Sequence, residues 1–269
     1  MALTTFQQAI DKQLPPVQAV KTTANSLTAG RNALTRRFAG LPVAAAAPSA
    51  GLNGVALDRN SLGAIPMPSA VQGQSLAIVR ARASLAEDGV LWLIDKLWEN
   101  SGLSTTVTTP QLIDAPATVP TRDDDGTNMG RGVFAAIECI GNTGAGTPTI
   151  TLGYTNEAGV TGRTATNIEA TLATSRDGQV YRFGLQDNDK GVRVPESVTL
   201  SATWTSGALS LFLYRPILML DISSTAKQFD VLSGSTVPVH DDAHLSLMYS
   251  KVTGTNAQGA SLELSFAQG

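Results

Sequence analysis

From residue 103 onward, apolar and polar residues alternate with a period of two, and this pattern constrains the fold more than any other feature of the chain. Successive side chains of a β-strand point to opposite faces, so alternation is typical of strands with one buried face. Glycine, asparagine and aspartate separate the alternating runs. Eight or nine strands are predicted, at 103–113, 132–141, 147–155, 163–172, 179–186, 196–206, 208–220, 243–253 and 259–267. With no helix between them, they predict a mainly β fold, an antiparallel β-sandwich of jelly-roll or related Greek-key type, with a hairpin at 205–209.

Two segments before residue 103 are predicted to be helical. In 84–102, Ser84 and Glu87 have the spacing of a capping box. The apolar residues that follow at helical spacing are Val90, Leu93, Ile94, Leu97 and Trp98. This stripe predicts an amphipathic helix that packs against a sheet or a partner. Residues 4–27 are predicted to form one or two short helices, interrupted by Pro15 and Pro16.

Residues 28–74 lie between these segments and show no sustained period. Their alanine, glycine and proline content alone would indicate a linker, but disordered segments are poor in apolar residues, whereas this one contains many. We therefore predict an extended arm that is ordered by lying on its own body or on a neighbouring subunit. The predicted organisation is an N-terminal helical segment and docking arm over 1–84, followed by an amphipathic helix and β-sandwich body over 85–269.

The charge of the chain is low and unevenly distributed. Charged residues make up 15% of the sequence, below the roughly 25% of an average soluble domain. The first 59 residues contain six basic and two acidic residues, although the whole chain has a net charge of −3. This distribution favours packing of the arm against other subunits. The residues predicted to contact such a partner are Arg31, Arg36, Arg37, Leu41, Val43, Leu52 and Leu57.

Several classes of function are disfavoured. The single cysteine, Cys139, lies on the apolar face of a predicted strand, which indicates a buried thiol and no intrachain disulfide. The first residues do not resemble a secretory signal, and Arg215 and Pro216 interrupt the longest apolar run, so no contact with a membrane is expected. The basic arm lacks interleaved aromatic residues, so specific nucleic-acid binding is not expected either.

Four polar loops contain residue types that also occur at functional sites. GNTGAGTP at 141–148 lacks the lysine of a phosphate loop and favours a hairpin turn. DNDKG at 187–191 lacks the last ligand of a calcium loop. TRDDDGTN at 121–128 favours an acidic surface turn. HDDAH leaves open a metal-dependent depolymerase that uses His240, Asp241, Asp242 and His244. The favoured interpretation has no catalytic residue, no cofactor and no metal, and the chain is expected not to be an enzyme.

Four blocks of the sequence resemble a family of structural proteins of tailed-bacteriophage virions. They are LIDKLWENSGLSTTVTTPQ, GAGTPTITLGYTNEAGVTGRTATNI, LQDNDKGVRVPESVTLSATWTSG and LFLYRPI. The resemblance extends over about residues 85–222, and its most specific parts are YTNEAGVTGRTAT at 154–166 and GVRVPESVTLSA at 191–202, followed by YRP at 214–216. It implies a particle component without catalytic residues.

The expected function is that of a head decoration (cement) protein, docked through its N-terminal arm and present as a homo-oligomer. Its partners would be the major capsid or neck proteins of the same virion, with assembly in the host cytoplasm. A neck, collar or tail-associated position stays open, as does a carbohydrate-binding β-sandwich module that uses Trp204 and tyrosines. Deletion of residues 1–74 is expected to leave a folded body that no longer joins particles.

Overall fold

The computed structural model describes residues 6–22, 29–114, 120, 122–223, 236–252 and 259–269. In these residues it has one helix, α1 (Phe6–Asp11), and seventeen strands. The strands are β1 (Val17–Thr22), β2 (Asn32–Leu34), β3 (Ala39–Leu41), β4 (Val55–Ala56), β5 (Leu76–Leu85), β6 (Gly89–Glu99), β7 (Leu103–Ser104), β8 (Gln111–Leu112), β9 (Phe134–Gly141), β10 (Ile150–Asn156), β11 (Arg163–Asn167), β12 (Gln179–Gly184), β13 (Val192–Leu200), β14 (Ala208–Ile222), β15 (Val237–Val239), β16 (Leu245–Lys251) and β17 (Gly259–Gln268). They pair antiparallel in two sheets, which confirms the predicted mainly β sandwich. None of the described helical residues forms a segment long and apolar enough to cross a membrane.

Six strands of the larger sheet close on themselves, and we call them the central ring. In order they are β2, β16, β6, β14, β9 and β12, and a β12–β2 pairing completes the circle. The two halves of one edge of β12 have different partners, since Gln179 and Val180 pair with β2 while Phe183 and Gly184 pair with β11. From β11 the larger sheet continues through β10, β13 and β8.

Three hydrophobic clusters lie inside and on either side of the central ring. One fills the space between the ring and the five-stranded sheet, whose strand order is β15, β5, β17, β1 and β3. A second lies between the ring and β10, β11 and β13, and it includes Cys139, which is buried as predicted. The third lies inside the ring, with at least one residue from each ring strand: Leu34, Ile94, Ala136, Val180, Phe212, Tyr214 and Met248.

The predicted helix over 84–102 is wrong, because these residues form the end of β5, a turn and β6. Both faces of β6 are buried, with Leu91 and Leu93 against the five-stranded sheet and Ile94 inside the ring. A strand with two buried faces carries apolar residues at odd and even positions, and therefore also at helical spacing. The expected capping residue Ser84 instead lies in β5, where its Oγ is 2.6 Å from Ser261 Oγ.

The N-terminal residues are part of the body. Of the predicted short helices only α1 exists in the described residues, because residues 17–22 form β1, which pairs with β17. The predicted arm packs on its own chain, where β2 closes the ring and the amide of Ile65 donates to the carbonyl of Leu245 at 2.8 Å. The predicted boundary between 84 and 85 falls inside β5. Residues 23–28 lie outside the described residues.

The two predicted hairpin turns are wrong. The strands on either side of 205–209 do not pair with each other, since β13 pairs with β10 and β8, whereas β14 pairs with β6, β7 and β9. The loop at 141–148 likewise joins β9 of the ring to β10 of the outer strands. Alternation on both sides of a loop does not distinguish a hairpin from a crossing between layers, so the sequence pattern failed at these two places. The predicted strand at 103–113 forms only the short strands β7 and β8.

Candidate functional site

The polar residues of the 154–163 segment converge on Asp189. Tyr154 Oη and Asn156 Nδ2 donate to its carboxylate at 2.5 and 2.7 Å, and Arg163 donates through Nε at 2.9 Å and Nη2 at 3.1 Å. Burial alone would raise the pKa of Asp189, but the hydrogen bonds from Arg163, Tyr154 and Asn156 outweigh it and lower this pKa to about 2. Protein donors thus already occupy the Asp189 carboxylate, and the DNDKG loop has a structural role.

The acidic segment around Asp123 is also held by its own backbone. The Asp123 carboxylate accepts hydrogen bonds from the amides of Thr127, Met129 and Gly130 at 2.5, 3.1 and 3.0 Å, and from the Thr127 hydroxyl at 2.6 Å. Asp123 is buried, whereas the next residue, Asp124, is exposed. The prediction of an acidic surface turn thus describes Asp124 but misses the role of Asp123, and residue 121 lies outside the described residues.

A cluster of charged residues is buried at one end of the ring interior. Lys96 Nζ lies 2.6 Å from Glu99 Oε2, 3.5 Å from Glu138 Oε2 and 4.6 Å from the centre of the Phe212 ring. Arg36 also pairs with Glu99. Burial and then the charge of Arg36 lower the pKa of Lys96, against the opposing effect of the two glutamates. These ion pairs are internal, so Arg36 does not reach a partner.

The four residues of the predicted metal alternative differ in their surroundings, since His240 and Asp242 are exposed whereas His244 is buried. His244 is fully buried beside the charged cluster, and burial, followed by the charges of Lys96 and Arg36, lowers its pKa to about 3. Asp241 Oδ1 accepts hydrogen bonds from Arg59 Nη1 and the Ala70 amide, both at 2.8 Å. Among the described residues, no group of three or more histidine, cysteine, aspartate or glutamate side chains could hold a metal ion.

Of the seven residues predicted to contact a partner, five are engaged within the chain. Arg31 donates to the Ala170 carbonyl, Arg37 pairs with Asp177 at 2.6 Å, Arg36 pairs with Glu99, Leu57 is buried and Leu52 packs on the second cluster. The two remaining residues, Leu41 and Val43, are 61% and 71% exposed. The structure therefore narrows the candidate contact to residues 41–43, at the end of β3.

This segment belongs to a larger apolar area, which we call the uncharged surface. It consists of Val20, Leu41, Val43, Ala46, Ala47 and Leu62, all of them exposed. Val20 and Leu41 are a cross-strand pair of β1 and β3. Gly63, the neighbour of Leu62, packs beside Ala45. No charged residue occurs between 40 and 57.

The backbone under the uncharged surface is fixed by Lys21 and Gly40. Lys21 is 2% exposed, and its Nζ donates to the carbonyl of Phe38 at 3.2 Å and to that of Pro42 at 2.5 Å, on either side of β3. Burial lowers the pKa of Lys21 to about 8. At Gly40, whose φ is 133°, a side chain would overlap the Val20 carbonyl oxygen, so β3 lies very close to β1.

Four members of the uncharged surface, Val20, Ala46, Ala47 and Leu62, were not among the residues predicted to contact a partner. Val20 has a recognisable signal, because VQAVKT read as a strand places it among Gln18 and Thr22 on an otherwise polar face. Leu62 has no such signal, since its position beside the 41–47 segment depends on the path of the loop. An open groove of about 300 Å³ continues from Val20 along β17 and β5, with Arg82, Ser84 and Glu263 in its lining.

Comparisons with known proteins give little support for any assignment. No protein-family model matches the chain, and no curated protein does. Among solved structures, infectious bursal virus derived T=1 particles match at 6% identity over 95% of this chain and 78% of that chain, with a TM-score of 0.19. The infectious bursal disease virus VP2 subviral particle matches at 8% identity over 95% and 80%, with a TM-score of 0.17. Scores of this size carry no argument about family or function.

Proposed function

We propose that this protein is a non-enzymatic structural component of a tailed-bacteriophage virion, and that it decorates the head as a homo-oligomer. The observation that carries the proposal is the network around Asp189. Its donors Tyr154, Asn156 and Arg163 belong to the block that most specifically resembles the phage virion family, and all three donate to Asp189 in the DNDKG loop. Polar residues that hydrogen-bond within the chain stabilise its fold, and a structural component of a particle requires a stable fold.

Two further features support a role in assembly. The sheets enclose three packed clusters and expose an uncharged surface on a fixed backbone. Large exposed apolar areas on a soluble protein mark contacts with other molecules. Symmetric assemblies repeat each such contact many times, so that modest contacts suffice.

The proposal is tested on particles of the phage that encodes the chain. Mass spectrometry of gradient-purified virions should detect its peptides in constant ratio to those of the major capsid protein. Cryo-electron microscopy should then show copies repeated over the head. A single ring of copies below the head would support the neck or collar alternative, and density on the tail would support a tail position. Absence of the protein from purified virions would refute the proposal.

The aromatic residues expected to bind sugar in the carbohydrate-binding alternative are not accessible. Trp204 is fully buried, and so are all four tyrosines of the chain. Sugar recognition needs exposed aromatic faces, which these residues do not offer. We expect no saturable binding of the purified protein on a glycan array, and specific binding there would reopen this alternative.

A further inference from the structure

We infer that the uncharged surface is a self-association site, at which it packs against the same surface of a second copy of this chain. The inference deepens the proposed function and rests on it for the expectation that copies meet on a particle. It identifies the partner of Leu41, Val43 and Leu62, the most exposed side chains of this surface.

The absence of charge allows the surface to meet a second copy of itself. In a two-fold contact each residue meets the patch from which it comes, so a surface that carries charges of one sign would repel itself. Residues 40–57 contain no charge, and the uncharged surface has only apolar side chains. Two such surfaces can therefore meet without burying an unpaired charge, which would be strongly unfavourable. An identical copy satisfies this complementarity with no further requirement.

The edge position of β3 favours the same partner. β3 is the outermost strand of the five-stranded sheet, next to β1. Edge strands of soluble proteins are protected by short length, proline, charged side chains or a covering element, and β3 is short and is followed by Pro42. β3 has the sequence Ala-Gly-Leu and all three residues are exposed. A second copy would cover the side chain of Leu41, which stays exposed at this edge.

The surface is already in a fixed conformation before any contact. Lys21 binds the carbonyls on both sides of β3, and the amide of Ala45 donates to the carbonyl of Arg36 at 2.9 Å. Ordering of flexible segments opposes association, so a fixed surface keeps more of the free energy of apolar burial. This distinguishes the 39–47 segment from an arm that becomes ordered only on assembly.

The test compares Leu41→Asp with a matched control. Leu112, in β8 at the far edge of the larger sheet, is 72% exposed and also lies on an edge strand, so Leu112→Asp introduces the same charge at a comparable site. Sedimentation velocity over a concentration series should show self-association of the wild type and of Leu112→Asp. For Leu41→Asp we expect a dissociation constant larger by roughly tenfold or more, because a carboxylate would be buried in the contact. Far-UV circular dichroism should be the same for all three proteins.

A second experiment locates the contact by cross-linking. The only native cysteine, Cys139, is buried, and burial raises its pKa to about 12, so a new surface cysteine is the reactive one. Val43→Cys should form a disulfide-linked dimer on mild oxidation, whereas Leu112→Cys should form far less. A wild type that is monomeric at all concentrations, or Leu41→Asp that associates as the wild type does, would overturn the inference.

The outcomes separate this inference from the proposed function. Self-association through Leu41 in a protein absent from virions would support the inference and refute the proposed function. A monomeric wild type whose Leu41→Asp variant is lost from particles would overturn the inference and assign the surface to a different virion protein.

Discussion

Asp189 receives four hydrogen bonds from three side chains of the 154–163 segment, and it ties the loop between β12 and β13 to β10 and β11. Burial by itself disfavours a charged carboxylate, so the site depends on keeping all of its donors. The resemblance to phage virion proteins includes these donors. This structural role accounts for a tyrosine, an arginine and an aspartate, residue types that also occur in catalytic sites, by their contacts with one another's segments.

We predict that Asp189→Asn lowers the free energy of unfolding at pH 7 by about 1–3 kcal/mol, since it leaves Arg163 without its charged acceptor. The folded-state pKa of Asp189 is about 2, below the unfolded value of about 3.9. Its contribution is therefore complete above about pH 4 and decreases as the pH falls towards 2. Urea denaturation at pH 7 and pH 3 measures both effects. Asp187→Asn, an exposed change in the same loop, should have little effect, and an equally large loss there would contradict the assignment.

His244 provides a second prediction at the residue scale. Its folded-state pKa is about 3, below the unfolded value of about 6.5, so the folded protein favours the neutral imidazole. The unfolded state binds more protons between these values, and stability is lost as the pH falls from 6.5 towards 3. We expect His244→Gln to lose less stability than the wild type between pH 7 and pH 4. His240→Gln, at an exposed histidine, serves as the control and should follow the wild-type curve.

At the scale of elements, β10 and β17 alternate between a face on a core and a partly exposed face, whereas the ring strands β9, β12, β14 and β16 were predicted as strands although both of their faces are largely buried. β10 and β17 lie within a few residues of their predicted bounds. β6 was predicted as a helix because its two buried faces place apolar residues at helical spacing as well, and Ser84 and Glu87 before it have the spacing of a capping box. β2 and β3 have three residues each and are too short for any period to be visible. They nevertheless close the ring and form the edge under the uncharged surface.

The candidate site was predictable only in part, for a related physical reason. Leu41 and Val43 were selected because an apolar run without period has to lie on something, and the structure leaves them exposed. Arg36 and Arg37 were selected from the same composition, yet they pair with Glu99 and Asp177, which are distant in sequence. Composition reports how many charges a segment has, whereas their pairing depends on the tertiary fold.

Lys21 allows a prediction for the β1–β3 pair. Its folded-state pKa is about 8, below the unfolded value of about 10.4, so the unfolded state binds more protons between these values. Stability should therefore increase from pH 8 to pH 10 in the wild type relative to Lys21→Met. Buried tyrosines such as Tyr181, whose pKa is raised to about 12 chiefly by burial, act in the opposite direction above pH 10. They are present in both proteins, so the difference between the two unfolding curves isolates Lys21, and parallel curves would contradict the prediction.

At the scale of the whole molecule, the sequence interpretation separated an arm from a body, whereas the structure joins them. β1 pairs with β17, and β2 pairs with both β12 and β16. The first 74 residues thus supply two strands of the five-stranded sheet, β1 and β3, and one strand of the central ring, β2. Removing them would open the ring and expose the third hydrophobic cluster.

We accordingly predict that deletion of residues 1–74 abolishes cooperative unfolding, contrary to the expectation from the sequence. Far-UV circular dichroism and urea denaturation of the truncated chain should show an aggregated or unstructured product. Addition of residues 1–74 as a separate polypeptide should restore part of the native circular dichroism signal. This control shows that the truncated chain was not damaged irreversibly. A soluble truncated body with a sharp unfolding transition would show that β2 is dispensable for ring closure.

The pairing of β1 with β17 also bears on the order of events during synthesis. Val17 is paired with Leu264, and β3 is held in the sheet by β1. A ribosome-bound chain cannot complete this sheet until β17 has left the exit tunnel. The area around Leu41 therefore takes its final form only after nearly all of this sequence has been translated.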